Sequence, residues 1–240
     1  MKVAALYDIH GNLPALDAVL AEVPGDAEIV FGGDVFAGPM PAETLTRARE
    51  LGSRAHFLVG NADREEAPAE EPGLARYHWV QAHLSPNDRS WIDSWPQTLT
   101  LDVDGLGSTL FCHGSPRSDV EAITAVTSKD RLSELLKDVN ERMVVCGHTH
   151  HQFDRRLDDV RIVNAGSVGL AYEGRRGAYW ALLGPDVELR RTAYDADAAA
   201  AVVRATTYPD PEEKIEHWLA PPSAEEAAEV FEQQALAEAR

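Results

Sequence analysis

The sequence predicts an α/β fold whose first strands run parallel. Three observations predict it. Short apolar runs ending in Gly or Asp alternate with helix-period segments through the first sixty residues. Turn signals at 104–105, 158–159 and 184–186 then add antiparallel hairpins. The last 45 or so residues change character, becoming Ala-rich, acidic and Pro-punctuated.

Taken in order, Lys2–Tyr7 reads as a buried strand and Leu13–Val23 as a helix that tolerates Pro14 in its first turn. Glu28–Phe31 is a strand closed by Gly32-Gly33-Asp34, Pro41–Leu51 a helix, and Ala55–Val59 a strand closed by Gly60-Asn61. Residues 62–73 are acidic with Pro and Gly, an exposed loop. A helix over Leu74–Leu84 follows. Ser85-Pro86-Asn87-Asp88 is a capping box opening a helix to about Ser94. Thr98–Val103 and Ser108–Cys112 flank Asp104-Gly105 as a hairpin. Asp130–Val139 is an amphipathic helix and Met143–Cys146 a buried strand. Phe153–Leu157 with Val160–Val163, and Ala178–Leu183 with Val187–Tyr194, read as further hairpins. Asp197–Thr206 is an Ala-rich helix, a short helical piece lies among the following prolines, and the Ser223 capping box opens a final helix toward Arg240. The division is a domain over 1–194 and a helical extension over 195–240, which either packs on the domain or mediates self-association as a homo-oligomer.

Composition narrows the classes. Of 240 residues, 44% are hydrophobic and 26% charged, which predicts a globular chain. The net charge of −18 repels polyanions and disfavours a nucleic-acid polymer or an anionic membrane as partner, while leaving room for a small phosphorylated substrate. No apolar run approaches the roughly 20 residues of a membrane span, and Asp8 breaks the first one too early for a signal peptide. Cys112 and Cys146 lie inside apolar strands, so the reading is a reduced, cytoplasmic protein.

Polar residues with metal-ligand chemistry recur at the predicted strand ends: Asp8-Ile9-His10, Gly33-Asp34, Gly60-Asn61, His113-Gly114 and Gly147-His148-Thr149-His150. Ligands of open α/β sheets bind at carboxyl ends of strands, so two Asp, one Asn and four His are expected to converge. An isolated Asp-x-His would occur about 0.7 times by chance in this composition, and Gly-His-x-His about 0.02 times, so the set carries the signal and no single motif does. Neutral imidazole and carboxylate suit Mn, Fe, Zn, Ni or Co, and the lack of clustered thiolate disfavours a Cys-type zinc site. Seven side chains exceed one open ion and fit two, about 3.5–4 Å apart, which clamp a phosphoryl group during in-line displacement.

These motifs, with Asn12, Asp63 and Asn164-Ala165-Gly166-Ser167-Val168, resemble the calcineurin-like metallophosphoesterases, in particular their compact bacterial and archaeal phosphodiesterase branch; the likeness covers about residues 1–194. The resemblance implies a four-layer αββα sandwich of two mixed sheets. It implies two divalent ions, Mn2+ foremost, the first held by Asp8, His10, Asp34 and His150. The second is held by Asp34 as bridge, Asn61, His113 and His148. A bridging hydroxide would attack phosphorus, with Asp8, Asp34, Asn61, His113 and His148 serving catalysis. The expected activity is a phosphodiesterase on small phosphodiesters, with a phosphomonoesterase (a protein phosphatase among them), a dinucleoside-polyphosphate hydrolase and a metal-free interaction scaffold as rivals. One departure stands out: many relatives carry a proton-donating His after the third-motif Asn, and here that position is Ala62.

Arg64 and Arg117 are candidate substrate-phosphate clamps alongside Asn61, with solvated loop charges as the alternative. His151, His56, His78, His83 and His217 read as non-ligands. Trp79, Trp91 and Trp95 read as helix-packing core rather than a base-stacking surface. The 172–176 loop is placed where it could overhang the site.

Overall fold

The computed structural model describes residues 1–64 and 73–238. The acidic segment predicted as a loop over 62–73 falls largely outside them. The strands are β1 (Val3–Leu6), β2 (Glu28–Phe31), β3 (Ala55–Phe57), β4 (Thr98–Val103), β5 (Gly107–Cys112), β6 (Met143–Cys146), β7 (Gln152–Leu157), β8 (Val160–Ala165), β9 (Ala178–Leu183) and β10 (Val187–Thr192). The helices are α1 (Leu13–Glu22), α2 (Pro41–Arg49), α3 (Gly73–Ala82), α4 (Pro86–Ile92), α5 (Lys129–Leu135), α6 (Ala196–Arg204), α7 (Pro211–Leu219) and α8 (Ala224–Glu238).

The strands form two five-stranded sheets, in the orders β10-β9-β1-β2-β3 and β4-β5-β6-β8-β7. Both are mixed. β1, β2 and β3 are parallel in the first, where β9 is antiparallel to both its neighbours β1 and β10; β5, β6 and β8 are parallel in the second, with β4 and β7 antiparallel at its edges.

Strand alternation sorts the apolar residues into three layers of core. Val3, Ala5 and Tyr7 of the first strand and its extension meet Phe111, Met143, Val145 and Val163 between the sheets. Ala4 and Leu6 point the other way, into a cluster with Leu16, Val19, Leu45, Trp180, Ile215 and Trp218 beneath the helices. Cys112, Val144, Cys146 and Ile162 on the outer face of the second sheet pack on Leu132 and Leu135 of α5. The result is the four-layer αββα sandwich of two mixed sheets. Both cysteines are buried and unbridged.

The extension packs on the first sheet's helical layer. Ala199, Ala200, Val203, Ile215 and Trp218 are buried there among residues of β1, β9 and α1. Trp91 and Trp95 pack around Phe57, and Trp79 lies edge-on to Tyr208, so the three tryptophans serve helix packing. No helix among the described residues is long and apolar enough to cross a membrane.

Candidate metal centre

The parallel strands of both sheets end at the same edge, and the loops leaving them carry the candidate ligands. Asp8 and His10 follow β1, Asp34 follows β2, Asn61 follows β3, His113 follows β5, and His148 and His150 follow β6. Backbone bonds lace these loops together: Asp8 N to Gly33 O (3.1 Å), His10 N to Asp34 O (2.9 Å), Gly147 N to His113 O (2.9 Å) and Gly169 N to Asp8 O (3.0 Å).

The lacing demands unusual backbone. Asp8, His10, Asp34, His148 and His150 all have positive φ, at 53°, 47°, 54°, 66° and 58°. Each such residue costs on the order of 1–3 kcal/mol and persists where its surroundings over-determine it, as functional sites do. Gly33 shows why small residues flank them. It sits at φ 99°, and a Cβ there would lie 2.5 Å from His113 Nδ1.

The side chains converge on one buried nest. Asp8 Oδ1 lies 3.3 Å from His150 Nε2 and 3.8 Å from both His10 Nε2 and His113 Nε2. Asp34 Oδ2 lies 3.7 Å from His10 Nε2 and 3.6 Å from His113 Nε2. His10 and His150 face each other, Nε2 to Nε2, at 3.2 Å, and Asn61 Oδ1 is 3.1 Å from His113 Nε2. Two sets of converging donors result, Asp8 with His10 and His150, and Asp8 with Asp34 and His113. Asp8 belongs to both sets, while Asp34 faces a histidine of each. His148 is half-buried at the rim, its ring 5.2 Å from that of His113 and its backbone N–H bonded to Asp8 Oδ2 at 2.9 Å.

The chemistry of this nest fits divalent cations. Asp8 Oδ1 is buried with no hydrogen-bond partner, an arrangement that costs free energy unless a cation meets it. The Nδ1 atoms of His113 and His150 lie 2.9 and 2.7 Å from the carbonyls of Gly32 and Leu170. A neutral ring that donates from Nδ1 presents a bare Nε2 lone pair inward, as metal-ligating histidines do. The second Asp34 oxygen accepts the Ala62 N–H at 2.7 Å.

Within the nest the carboxylates and imidazoles shift one another. Burial alone would raise Asp8, but His150 and His113 outweigh it and hold the carboxyl below its ordinary range. Asp34 is likewise depressed, chiefly by His113 against burial. His113 is raised to about 10, because Asp34 and Asp8 overcome the burial that opposes its charge. Burial, followed by the nearby Lys214, pushes His10 down to about 3; burial and then His113 push His148 down to about 4.

Surrounding residues hold the nest. Asp63 accepts from the backbone N–H groups of Asp34 (2.6 Å), Val35 (2.9 Å) and Gly60 (3.1 Å). Asn164 donates to Gly147 O at 2.7 Å, and Ser167 to Asp8 O at 2.7 Å. Asn12 caps α1 through Ala15 N and donates to Gly169 O, fixing the helix entry. Tyr172, in the predicted overhanging loop, stacks on His150 with centroids 4.7 Å apart.

The candidate phosphate clamps face carboxylates. Arg64 pairs with Asp119 at 2.7 Å, and Arg117 with Glu121 at 2.7 Å and Glu134 at 3.2 Å. His151 is buried with its Nδ1 2.9 Å from Thr149 O and belongs to neither donor set. His56 is half-buried beside Glu28, while His78 and His83 are exposed and His217 half-buried.

A cavity of about 300 Å³ opens beside the nest, bounded by His10, Asn61 and Ala62 on one side and by Arg76, Tyr77 and Lys214 on the other. The far wall comes from α3 and α7. No motif in the sequence marks it, because a lone Lys in an acidic helix carries no pattern.

A fold of this kind, with carboxylates and imidazoles gathered at the strand ends, defines a metal-dependent phosphoesterase class. The chain belongs to the calcineurin-like phosphoesterase superfamily, whose domain description matches residues 1–184. It is similar to an uncharacterized protein of Methanocaldococcus jannaschii, 24% identical over 224 residues that cover 82% of this chain and 89% of that one. Its fold resembles the metallophosphoesterase of Sphaerobacter thermophilus, with TM-score 0.77, 24% identity and coverage of 92% and 99% of the two chains. It also resembles a hypothetical protein of Pyrococcus horikoshii, with TM-score 0.79, 19% identity and coverage of 92% and 99%.

Proposed function

We propose that the protein is a binuclear-metal phosphodiesterase acting on small phosphodiesters. One observation carries the reading: the buried, unpartnered Asp8 Oδ1 faced by the Nε2 atoms of three histidines, with Asp34 facing two of the same rings. Asp8, His10, Asp34 and His150 would hold one cation, and Asp34, Asn61, His113 and His148 the other; Mn2+ is the first candidate. A cation pair supplies Lewis-acid stabilisation of a phosphoryl group and a nucleophilic water at neutral pH.

The chain supplies the rest. Asp63 and the backbone lacing fix the two aspartates before substrate arrives, so little reorganisation is needed during the reaction. Asn61 borders both nest and cavity, where its amide can contact a phosphate oxygen. The size of the cavity suits a small substrate. A net charge of −18 slows approach of a long polyanion. Ala62 on the cavity wall offers no proton to a leaving group, and such a donor is typically worth about 10²–10⁴-fold. The deficit favours diesters with acidic leaving groups over monoesters with poor ones. A scaffold that had abandoned metals would gain nothing from the strained loops or the orphaned oxygen.

The test compares bis(p-nitrophenyl) phosphate with p-nitrophenyl phosphate on protein stripped with chelator and reloaded with Mn2+. Diester turnover should exceed monoester turnover, vanish on stripping and return on reloading. Asp34→Asn should lower it by roughly 10²-fold or more, and Ala62→His should raise monoester turnover by about tenfold or more. Faster monoester turnover, or undiminished activity in strong chelator, would overturn the reading.

A further inference from the structure

The far wall of the cavity holds a cation that forms no ion pair among the described residues. Lys214 lies half-buried on α7 and lines the cavity. Its Nζ has one long contact, 3.5 Å to Ala37 O, and no carboxylate of the described residues lies within ion-pair distance. Lys2 and Lys137, by contrast, pair with Asp26 and Glu134. In a chain with 40 acidic residues, an unpaired inward ammonium is costly to hold.

The placement is built. Arg76 of α3 donates to the carbonyls of Pro209 (3.3 Å) and Asp210 (3.1 Å) and pairs with Glu213 at 2.6 Å, clamping the start of α7. Ile215 and Trp218 anchor the same helix in the core. Lys214 is thereby fixed toward the cavity, while the charge of Arg76, which also lines it, is met by Glu213. Withdrawal from water, then the neighbouring Arg76, lowers the ammonium to about 8, so it still carries charge at neutral pH.

We propose that Lys214 is a substrate-binding residue that holds a second phosphate, on the part of the substrate extending from the nest into the cavity. The proposal rests on the phosphodiesterase reading and narrows its substrate class to small phosphodiesters bearing a further phosphate. The nest takes the scissile group, and the extension, through α7, supplies the counter-charge for the other. Arg76 is a positioning residue, since its donors are occupied by α7.

The experiment uses a matched pair of chromogenic diesters, thymidine 5′-(p-nitrophenyl phosphate) with and without a 3′-phosphate, on the Mn2+-loaded full chain. Thymidine 3′,5′-bisphosphate and thymidine 5′-monophosphate serve as binding probes in calorimetry. The wild type should prefer the 3′-phosphorylated diester by at least tenfold in KM, and the bisphosphate by a similar factor in Kd. Lys214→Met should bring both ratios near one, while Lys214→Arg should keep most of each. Absence of a preference in the wild type, or its survival in Lys214→Met, would overturn the proposal while diester turnover still upheld the phosphodiesterase. A loaded wild type that turned over neither diester would remove both.

Discussion

Asp63 shows how one residue can govern a site it does not enter. Its carboxylate is 2% exposed and satisfies three backbone N–H groups, those of Asp34, Val35 and Gly60, from the ends of two strands. Burial and then the facing Asp34 carboxylate push it up, and the bonds from Gly60 and Val35 oppose them and favour its charged form. Asp63→Asn turns one acceptor into a donor facing an N–H, a loss of about 1–3 kcal/mol. For a chain of this size that is a fall of about 2–12 °C in Tm, and the Asp34 loop loses its brace. Metal affinity should fall by about 10–100-fold, as for other supports of a ligand shell. Thermal denaturation with and without Mn2+, and a metal titration, check this; unchanged affinity would show that the brace serves the fold alone. The contrast with Lys214 explains what could be read at this scale. Asp8, His10, Asp34, Asn61, His113, His148 and His150 were legible because each stands just past an apolar run, so strand periodicity and polarity specify position together. Lys214 reaches the cavity through the docking of α7, which depends on Arg76 some 138 residues earlier, and local pattern holds no trace of that pairing.

At the scale of elements, the start of α4 is set by a closed local circuit. Ser85 Oγ accepts the Asp88 N–H at 3.2 Å, Asp88 accepts the Ser85 N–H at 3.0 Å, and Arg49 of α2 pairs with Asp88 at 3.0 Å. Ser85→Ala should cost about 1 kcal/mol, read as a fall of about 2–4 °C in Tm. Burial pushes Asp88 up, but the bonds from Ser85 and then Arg49 together outweigh it and leave it below its ordinary value. Its contribution is therefore fully present above the unfolded carboxyl range and lost as pH falls through the lower folded value. The gap between wild type and Asp88→Asn in urea midpoints should hold from pH 7 to 5 and close below about pH 4. A gap that widened on acidification would contradict the assignment. The Ser85–Asp88 exchange is legible because both residues lie within four positions; the Arg49 partner, from another helix, is not. Ends set by distant partners are not. Ala55–Val59 was expected as a strand, yet β3 stops at Phe57, because the Val59 N–H turns away to Pro96 O at 3.0 Å. The helix expected over Asp130–Val139 stops at Leu135, where Leu136 leaves helical geometry at φ −104°, ψ 3°.

Across the whole molecule, the sandwich and the extension share one core, so the division at residue 194 separates chain segments that fold against each other. Val203, Ile215 and Trp218 are 1–3% exposed and pack in the cluster that contains Leu16, Val19 and Trp180. At about 1.5–3 kcal/mol for each fully buried large apolar side chain, removing these three alone withdraws roughly 5–9 kcal/mol, comparable with the whole stability of a domain. The extension also flanks the nest on two sides. α7 brings Lys214 to the His10 side, and α8 places Phe231 5.7 Å from the His148 ring. Glu232 of α8 further accepts from Thr124 at 2.7 Å and from Thr127, and pairs with Arg131 at 3.4 Å. Ending the chain after Tyr194 should therefore leave a protein that unfolds at far lower urea or fails to stay in solution. Ending it after Ala220, which removes α8 but keeps α6 and α7, should lower the urea midpoint much less, because the large buried side chains stay. Truncation after Tyr194 that preserved the midpoint would show the extension to be an appendage, and would then direct attention to self-association as its role.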